Sequence, residues 1–383
     1  MSAVLFFDPN CQKPYSRRTL DSEALGGTEA SVVRIADALD ARVMQHNRPE
    51  PDGRYLPAAP AQGVRHLVIL RDPRTVPRVC ASYPGAKAYL WVHDLLRPGS
   101  KRGRRLEAAA PALAQHGVTI VCVSDFQRQQ VEAVLSRVPA ARAVRAVTIY
   151  NPVEDALRPE GASVDPRKLV FFSSPNKGLA FTLDAFRAAR RVMPDLRLRV
   201  GSPGYKSLRR ARIESVDGKI DGVDWLGAQP HERILQEVRT ALCVFYPNFV
   251  LPETFGLVLA EAKAVGTPVL THACGAAPEV LADPRMLLPV TRSLRMYEQA
   301  ASHIPSGLRR FVAPWAEPLG IFQMYVNRVH AWRYGERPAI GPDARFRLSV
   351  VAQRWRDLFA GELGGERSLR PTEACDTRNV EAI

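Results

Sequence analysis

Short apolar runs alternate with amphipathic stretches along most of this chain, and that alternation leaves few architectures open. Strand-like runs fall near 3–8, 64–70, 86–92, 118–123 and 145–150, with helical patterns over 28–41, 104–116 and 124–137 between them. Strands separated by helices predict parallel βαβ units, and hence a doubly wound α/β sheet covered on both faces. From Asn151-Pro152-Val153 to Val164-Asp165-Pro166 no period of either kind holds, so the chain changes domain there. The alternation then restarts with a strand at 168–173, a helix over 177–193, strands near 196–201, 223–226 and 242–246, a helix over 254–265 and a strand at 267–271. Helical patterns over 317–333 and 343–361 follow. The expected layout is a first domain over 1–160, a second over 161–335, a further helical segment over 336–363 and a polar, disordered tail over 364–383.

Composition narrows the function. With 383 residues, 46% of them hydrophobic, the chain can build two packed cores. Its 53 Lys and Arg against 39 Asp and Glu give a formal +14, a balance that favours phosphates, nucleic acid or an anionic membrane surface. The six cysteines, at 11, 80, 122, 243, 274 and 375, form neither a C-x-x-C pair nor a zinc-spaced cluster with His. A reduced, cytoplasmic setting is expected. The N-terminal Met1 to Asp8 lacks the basic start and apolar length of a leader and reads as a first strand. No apolar run approaches the ~18 residues of a membrane span, so membrane contact would be peripheral, at the inner face of the cell membrane.

The densest chemistry lies in Pro252-Glu253-Thr254-Phe255-Gly256-Leu257-Val258-Leu259-Ala260-Glu261. Eight positions along an ideal helix leave Glu253 and Glu261 about 80° and roughly 12 Å apart, too far to share one ion but able to hold two ends of one ligand. Free N–H groups at the helix start between them suit a diphosphate. The plainer alternative makes Glu253 a first-turn charge favoured by the helix dipole and Glu261 a solvated helix residue.

This segment resembles the E-x7-E signature of retaining glycosyltransferases of the GT-B fold, family GT4, which includes mannosyl- and glucosyltransferases of cell-envelope synthesis. The likeness continues through Gly266-Thr267-Pro268-Val269 and Cys274-Gly275-Ala276-Ala277-Pro278-Glu279. It implies two Rossmann-like domains, with the last helix crossing back onto the first. It also implies a nucleoside-diphosphate sugar as co-substrate, no metal or other cofactor, and a saccharide or lipid-linked acceptor. By resemblance Glu253 would bind donor-sugar hydroxyls and Glu261 the ribose, with Thr254, Phe255, Gly256 and Leu257 at the ligand between them.

Other candidates follow from the same likeness. Gly26 and Gly27 open the first long helix and match the family's glycine loop beside the donor diphosphate, while Glu29 supports that loop. His93 ends an apolar strand, where open α/β sheets bind ligands, and would touch the donor sugar, with Asp94 a lesser candidate. Ser124-Asp125 reads first as a helix cap. Lys177, at a helix start where the dipole disfavours a cation, would neutralise the diphosphate beside Ser174. Relatives place an Arg where this chain has Phe172, Ser173 or Ser174, so backbone donors, Ser hydroxyls or a nearby base such as Lys206 would have to compensate. Tyr205 and Leu226 would lie near the nucleotide, with turn chemistry and core packing as equal alternatives. Finally, Arg97 to Arg105 holds five cations and no acid, a solvated face or a patch for anionic lipid. The rival functions are an epimerase or hydrolase on the same fold, a non-catalytic sugar-nucleotide sensor, and a nucleic-acid binder. The last lacks any aromatic-interleaved RNA motif or helix-turn-helix and is disfavoured.

Overall fold

A computed structural model describes residues 3–201, 220–302, 304 and 320–363. Its strands are β1 (Val4–Asp8), β2 (Arg42–Gln45), β3 (Tyr55–Pro57), β4 (His66–Leu70), β5 (Lys87–Val92), β6 (Thr119–Cys122) and β7 (Ala146–Thr148), then β8 (Asp165–Phe172), β9 (Arg197–Gly201), β10 (Val223–Gly227), β11 (Ala241–Phe245), β12 (Val269–His272) and β13 (Leu287–Leu288). The first seven form one sheet in the order β3-β2-β1-β4-β5-β6-β7, the rest a second in the order β10-β9-β8-β11-β12-β13. Every strand pair in both sheets is parallel. In each sheet the winding reverses once, at β1/β4 and at β8/β11, and such switch points open a crevice at the carboxyl ends of the strands.

The described α-helices are α1 (Arg17–Ser22), α2 (Gly27–Ala38), α3 (Val76–Ser82), α4 (Lys101–Gln115), α5 (Asp125–Leu135), α6 (Leu179–Val192), α7 (His231–Arg239), α8 (Leu257–Ala264), α9 (Ala277–Leu281), α10 (Arg292–Ser302), α11 (Gln323–Ala331) and α12 (Leu348–Ala360). Parallel strands covered on both faces read as unbroken apolar runs, and β11 is buried at all five positions. Alternate side chains still serve different layers: Phe6 and Trp91 pack into one core, Leu5, Phe7, Leu90 and Val92 into another on the opposite face.

The terminal segment returns to the first sheet. Val153, in the link between sheets, pairs with the chain before α12: its N–H donates to the Phe346 carbonyl at 2.7 Å, and Leu348 N–H donates to the Val153 carbonyl at 2.9 Å. Trp355 of α12 then lies fully buried against Phe6 and Trp91, ring centroids 5.8 and 5.1 Å away. The expected crossing is present.

Several expectations are corrected. β2, β3 and β13 were not expected; β2 and β13 have only four and two residues, and β3 has three. α1, α3, α7, α9 and α10 were also not expected, α1, α3 and α9 being two turns or less. The helix expected over 254–265 starts at Leu257, because Gly256 before it takes a left-handed φ of +87° that breaks the helical path. Likewise the helix expected from 177 starts at Leu179. Of the stretch 317–333, residues 317–319 lie outside the described residues, as do Tyr205, Lys206 and the tail 364–383.

Candidate functional site

The two switch points face one another across a cleft that, with its open solvent counted, encloses about 860 Å³. The first lobe lines it with Ala24, Leu25, Gly27 and Ala30; the second contributes Ser173, Ser174 and Lys177 after β8, Gln229 and His231 before and at the start of α7, and Glu253, Gly256, Leu257 and Glu261 around α8.

Glu253 sits in the loop ahead of α8, and two turns of backbone fix it. Gly256 at φ +87° folds the chain so tightly that an added Cβ would lie 3.1 Å from Glu253 Cγ. Gly275, at φ +63°, backs the same loop; a Cβ there would meet the Glu253 carbonyl at 2.6 Å, and Ala276 N–H donates to that carbonyl at 2.9 Å. Only glycine fits these close approaches at positive φ. The turn 274–276 is therefore the back wall of the Glu253 loop.

The Glu253 carboxylate is buried and has three contacts. Lys177 Nζ donates to both of its oxygens, at 2.8 and 2.6 Å, and the Tyr246 hydroxyl donates to Oε1 at 2.5 Å. Burial, reinforced by the neighbouring carboxylate, pushes the Tyr246 phenol well above its ordinary range, so it stays a donor. The cation ahead of α6 thus has its anion, and that anion is the first of the two signature acids. An ammonium carries three donors, and two are used here, leaving one for a ligand.

Glu261 is 3% exposed and lies on α8 facing the cleft. Arg34 Nη1 of the first lobe donates to its Oε1 at 2.9 Å, and His231 Nε2 stands 3.1 Å from the same oxygen. The His231 contact has ion-pair distance without hydrogen-bond alignment. Burial by itself would raise the carboxyl's pKa; His231 and Arg34 reverse that and hold it at about 2. Glu261 Oε2 accepts from no described residue and is not among the fully enclosed, unpartnered atoms. It is an open acceptor on an ionised carboxylate that lines the cleft.

Gly26 caps α2 and Gly27 is its first residue; Gly27 lines the cleft and Gly26 does not. Glu29, expected to support this loop, turns to Arg71 at 2.5 Å. Ser174 lines the cleft, its hydroxyl donating to Asn176 Oδ1 at 2.5 Å.

Other expected residues form the seam between the lobes instead. Thr254 Oγ1 donates to the His93 carbonyl at 2.8 Å, and Ser124 Oγ donates to the Thr254 carbonyl at 2.5 Å while capping α5. The His93 ring stacks on Trp91 with centroids 4.6 Å apart, outside the cleft lining. Burial, with Arg71 adding to it, holds His93 well below its ordinary pKa, so the imidazole is neutral, and its buried Nε2 has no partner among the described residues. Asp94 pairs with Arg102 at 3.3 Å. Phe255, expected at the ligand, is fully buried against Tyr150 and Phe346, because its apolar ring fills the core under the loop. Leu226, expected beside the base, lies on the edge strand β10, packs on the second core and does not line the cleft.

Three contributors were missed: Arg34, Tyr246 and His231. Arg34 carried a legible signal, a lone cation within the apolar run Val32-Val33-Arg34-Ile35. A charge at a core position needs a buried partner. Glu279 is also unexpected here: from α9 it accepts the Asp125 and Phe126 N–H groups at 2.8 and 3.1 Å, capping α5 of the opposite lobe.

Residues 154–291 match the family model described as glycosyl transferases group 1. The chain carries a group 1 glycosyltransferase domain. A D-inositol 3-phosphate glycosyltransferase of Mycobacteroides abscessus is 40% identical over 114 residues, 28% of this chain and 25% of that protein. The phosphatidyl-myo-inositol mannosyltransferase of Mycobacterium leprae is 26% identical over 342 residues, 76% of this chain and 88% of its own. The chain is thus matched to only about a quarter of the first relative's length. Among solved structures, Anabaena Alr3699/HepE in complex with UDP and glucose aligns with a TM-score of 0.59 at 14% identity, covering 94% of this chain and 99% of that one. AviGT4, involved in avilamycin A biosynthesis, aligns with a TM-score of 0.56 at 18% identity, covering 94% and 98%. At these identities the neighbours establish the GT-B fold of this chain.

Proposed function

We propose that this group 1 chain is a retaining hexosyltransferase, moving a hexose from a nucleoside-diphosphate sugar to a hydroxyl of a saccharide or lipid-linked acceptor. The product would belong to cell-envelope polysaccharide or glycoconjugate synthesis. The observation that carries this is the pair Glu253 and Glu261, both facing one cleft between the sheets, one beside Lys177 and the other with a free oxygen. In this scheme Glu261 Oε2 accepts ribose hydroxyls and Glu253 holds the donor sugar. Lys177, Gly27 N–H and the start of α8 stabilise charge on the departing diphosphate, the preorganised electrostatics that usually dominates catalysis.

The acceptor oxygen attacks the anomeric carbon from the face that the leaving group occupies. The bond from that carbon to the phosphate oxygen breaks, its electron pair goes to the diphosphate, and a diphosphate oxygen takes the acceptor proton. The chain's own cations would serve in place of a metal; among the described residues no group of three or more His, Cys, Asp and Glu is placed to hold one. No described helix is long and apolar enough to cross a membrane. An acceptor at a lipid surface would be reached through the cations of Arg97 to Arg105 around the start of α4.

Calorimetric titration with UDP, GDP and ADP should select one base, and turnover of the matching sugar nucleotides, in EDTA, should give a product whose anomeric configuration matches the donor by NMR. An inverted linkage would overturn retention. Donor consumption without acceptor would favour an epimerase or hydrolase.

A further inference from the structure

We propose that Arg34, a residue of the first lobe, is a positioning residue for the ribose of the donor bound to the second lobe. This rests on the assignment of Glu261 to the ribose. Arg34 is 1% exposed, on α2, and its guanidinium touches three parts of the chain. Nη1 donates to Glu261 Oε1 across the cleft at 2.9 Å and to the Pro152 carbonyl at 3.2 Å, and Nε stands 3.3 Å from Glu154 Oε1. Pro152 and Glu154 lie in the segment that joins the two sheets. One planar group therefore ties the first lobe, the connection and the second-lobe acid together.

A buried ion pair of this kind is a weak source of stability, because desolvating both charges offsets most of their attraction. Its geometry explains its presence better. Arg34 occupies Oε1, so the carboxylate cannot rotate freely, and Oε2 is left without a described partner on a residue that lines the cleft. His231 and Arg34 together keep the acid ionised, and an ionised acceptor binds a hydroxyl roughly twice as strongly as a neutral one. His231, on α7 of the second lobe, stands beside the same oxygen but is not aligned to hold it. Without α2 the acid keeps only His231 beside it, so the ribose subsite has its full set of partners only when α2 lies against α8.

The test is the ratio of affinities for UDP and 2′,3′-dideoxy-UDP, or the corresponding GDP or ADP pair if the nucleotide screen selects that base. Calorimetry on the wild type, Glu261→Gln and Arg34→Met supplies the three ratios. The wild type should prefer the ribonucleotide by about tenfold or more, and both variants by less than about threefold. Affinity of Arg34→Met for the dideoxy nucleotide should match the wild type. A merely structural arginine would instead weaken both nucleotides together, and that result overturns the proposal. So does an Arg34→Met variant that keeps the full preference while Glu261→Gln loses it. No preference in the wild type, or one that survives Glu261→Gln, overturns the ribose assignment itself. If Arg34→Met does not fold, Arg34→Lys is judged by the same ratio, since one ammonium cannot reproduce the three-way contact of the guanidinium.

Discussion

Replacing Gly27 by alanine separates ligand binding from folding in this molecule. A Cβ built on Gly27 would stand 3.2 Å from Leu257 Cδ1, so the tip of one flexible side chain must give by a few tenths of an ångström. Moving a side chain off its rotamer by that much costs about 0.5–1.5 kcal/mol. Gly27 is already helical, and alanine in a helix gains up to about 1 kcal/mol over glycine. The two effects oppose each other, and stability should change by less than about 1 kcal/mol. Binding has no such offset. The methyl group would stand between Gly27 and Leu257, at the entrance to the proposed diphosphate site, and would hold the phosphate away from the helix amides. Loss of one hydrogen bond to a charged group is worth about 1.5–3 kcal/mol, or more than tenfold in Kd. Thermal unfolding and nucleotide calorimetry on the same samples give both numbers. An unchanged Kd for the nucleoside diphosphate would remove Gly27 from the site, and a large loss of stability would show that the methyl forces the lobes apart.

Three further outcomes are expected. Lys177→Met should lower kcat/KM at least about 100-fold, or roughly 2.7 kcal/mol of transition-state stabilisation, and the loss should shrink with donors whose leaving group needs less charge neutralisation. Equal losses for all leaving groups would assign Lys177 to holding Glu253 alone. Glu261 is depressed from 4.5 to about 2, so its ionised form stabilises the fold above pH 4.5, and that contribution disappears as pH falls toward 2. The shift corresponds to about 3 kcal/mol. Acid unfolding of Glu261→Gln should lack that part of the pH dependence, and identical profiles would contradict the ion pairing. Trp355→Ala should cost about 3–5 kcal/mol and lower the thermal midpoint by several degrees, because it empties the contact between α12 and the first sheet.

The sequence carried the long elements and missed the short ones, for a physical reason. β5 and β11 are buried on both faces and announce themselves as apolar runs, whereas Arg42–Gln45 has a polar residue at each end and only two apolar residues between them. Periodicity needs length to be visible. Within the site, Glu253, Glu261, Lys177 and Gly27 were legible as residues but not as partners. Lys177 sits 76 positions from Glu253, and Arg34 sits 227 from Glu261. Spacing along one helix says nothing about a contact made by folding two sheets against each other. Phe255 shows a different limit: the signature segment does not reveal that its ring serves the core.

The pairing of cleft cations changes what the overall charge can mean. The chain is formally +14, which suggests that anions are drawn into the site. The cleft, however, contains Lys177 against Glu253 at 2.6 Å, while Arg34 meets Glu261 at 2.9 Å; both are contacts that salt barely screens. Cations with no acid partner among the described residues lie outside, as with the exposed Lys101 and Arg104 at the start of α4. Screening acts over about 30 Å at 0.01 M salt and about 8 Å at 0.15 M, so it weakens attraction between an exposed patch and a charged surface far more than short contacts inside a cleft. Raising NaCl over that range should therefore lower adsorption to phosphatidylserine vesicles by tenfold or more while nucleotide Kd moves by less than about threefold. Lys101→Glu with Arg104→Glu should abolish adsorption and leave nucleotide binding intact. Parallel salt slopes would mean that the same charges serve both ligands, and the division between a neutral cleft and a cationic outer face would be wrong.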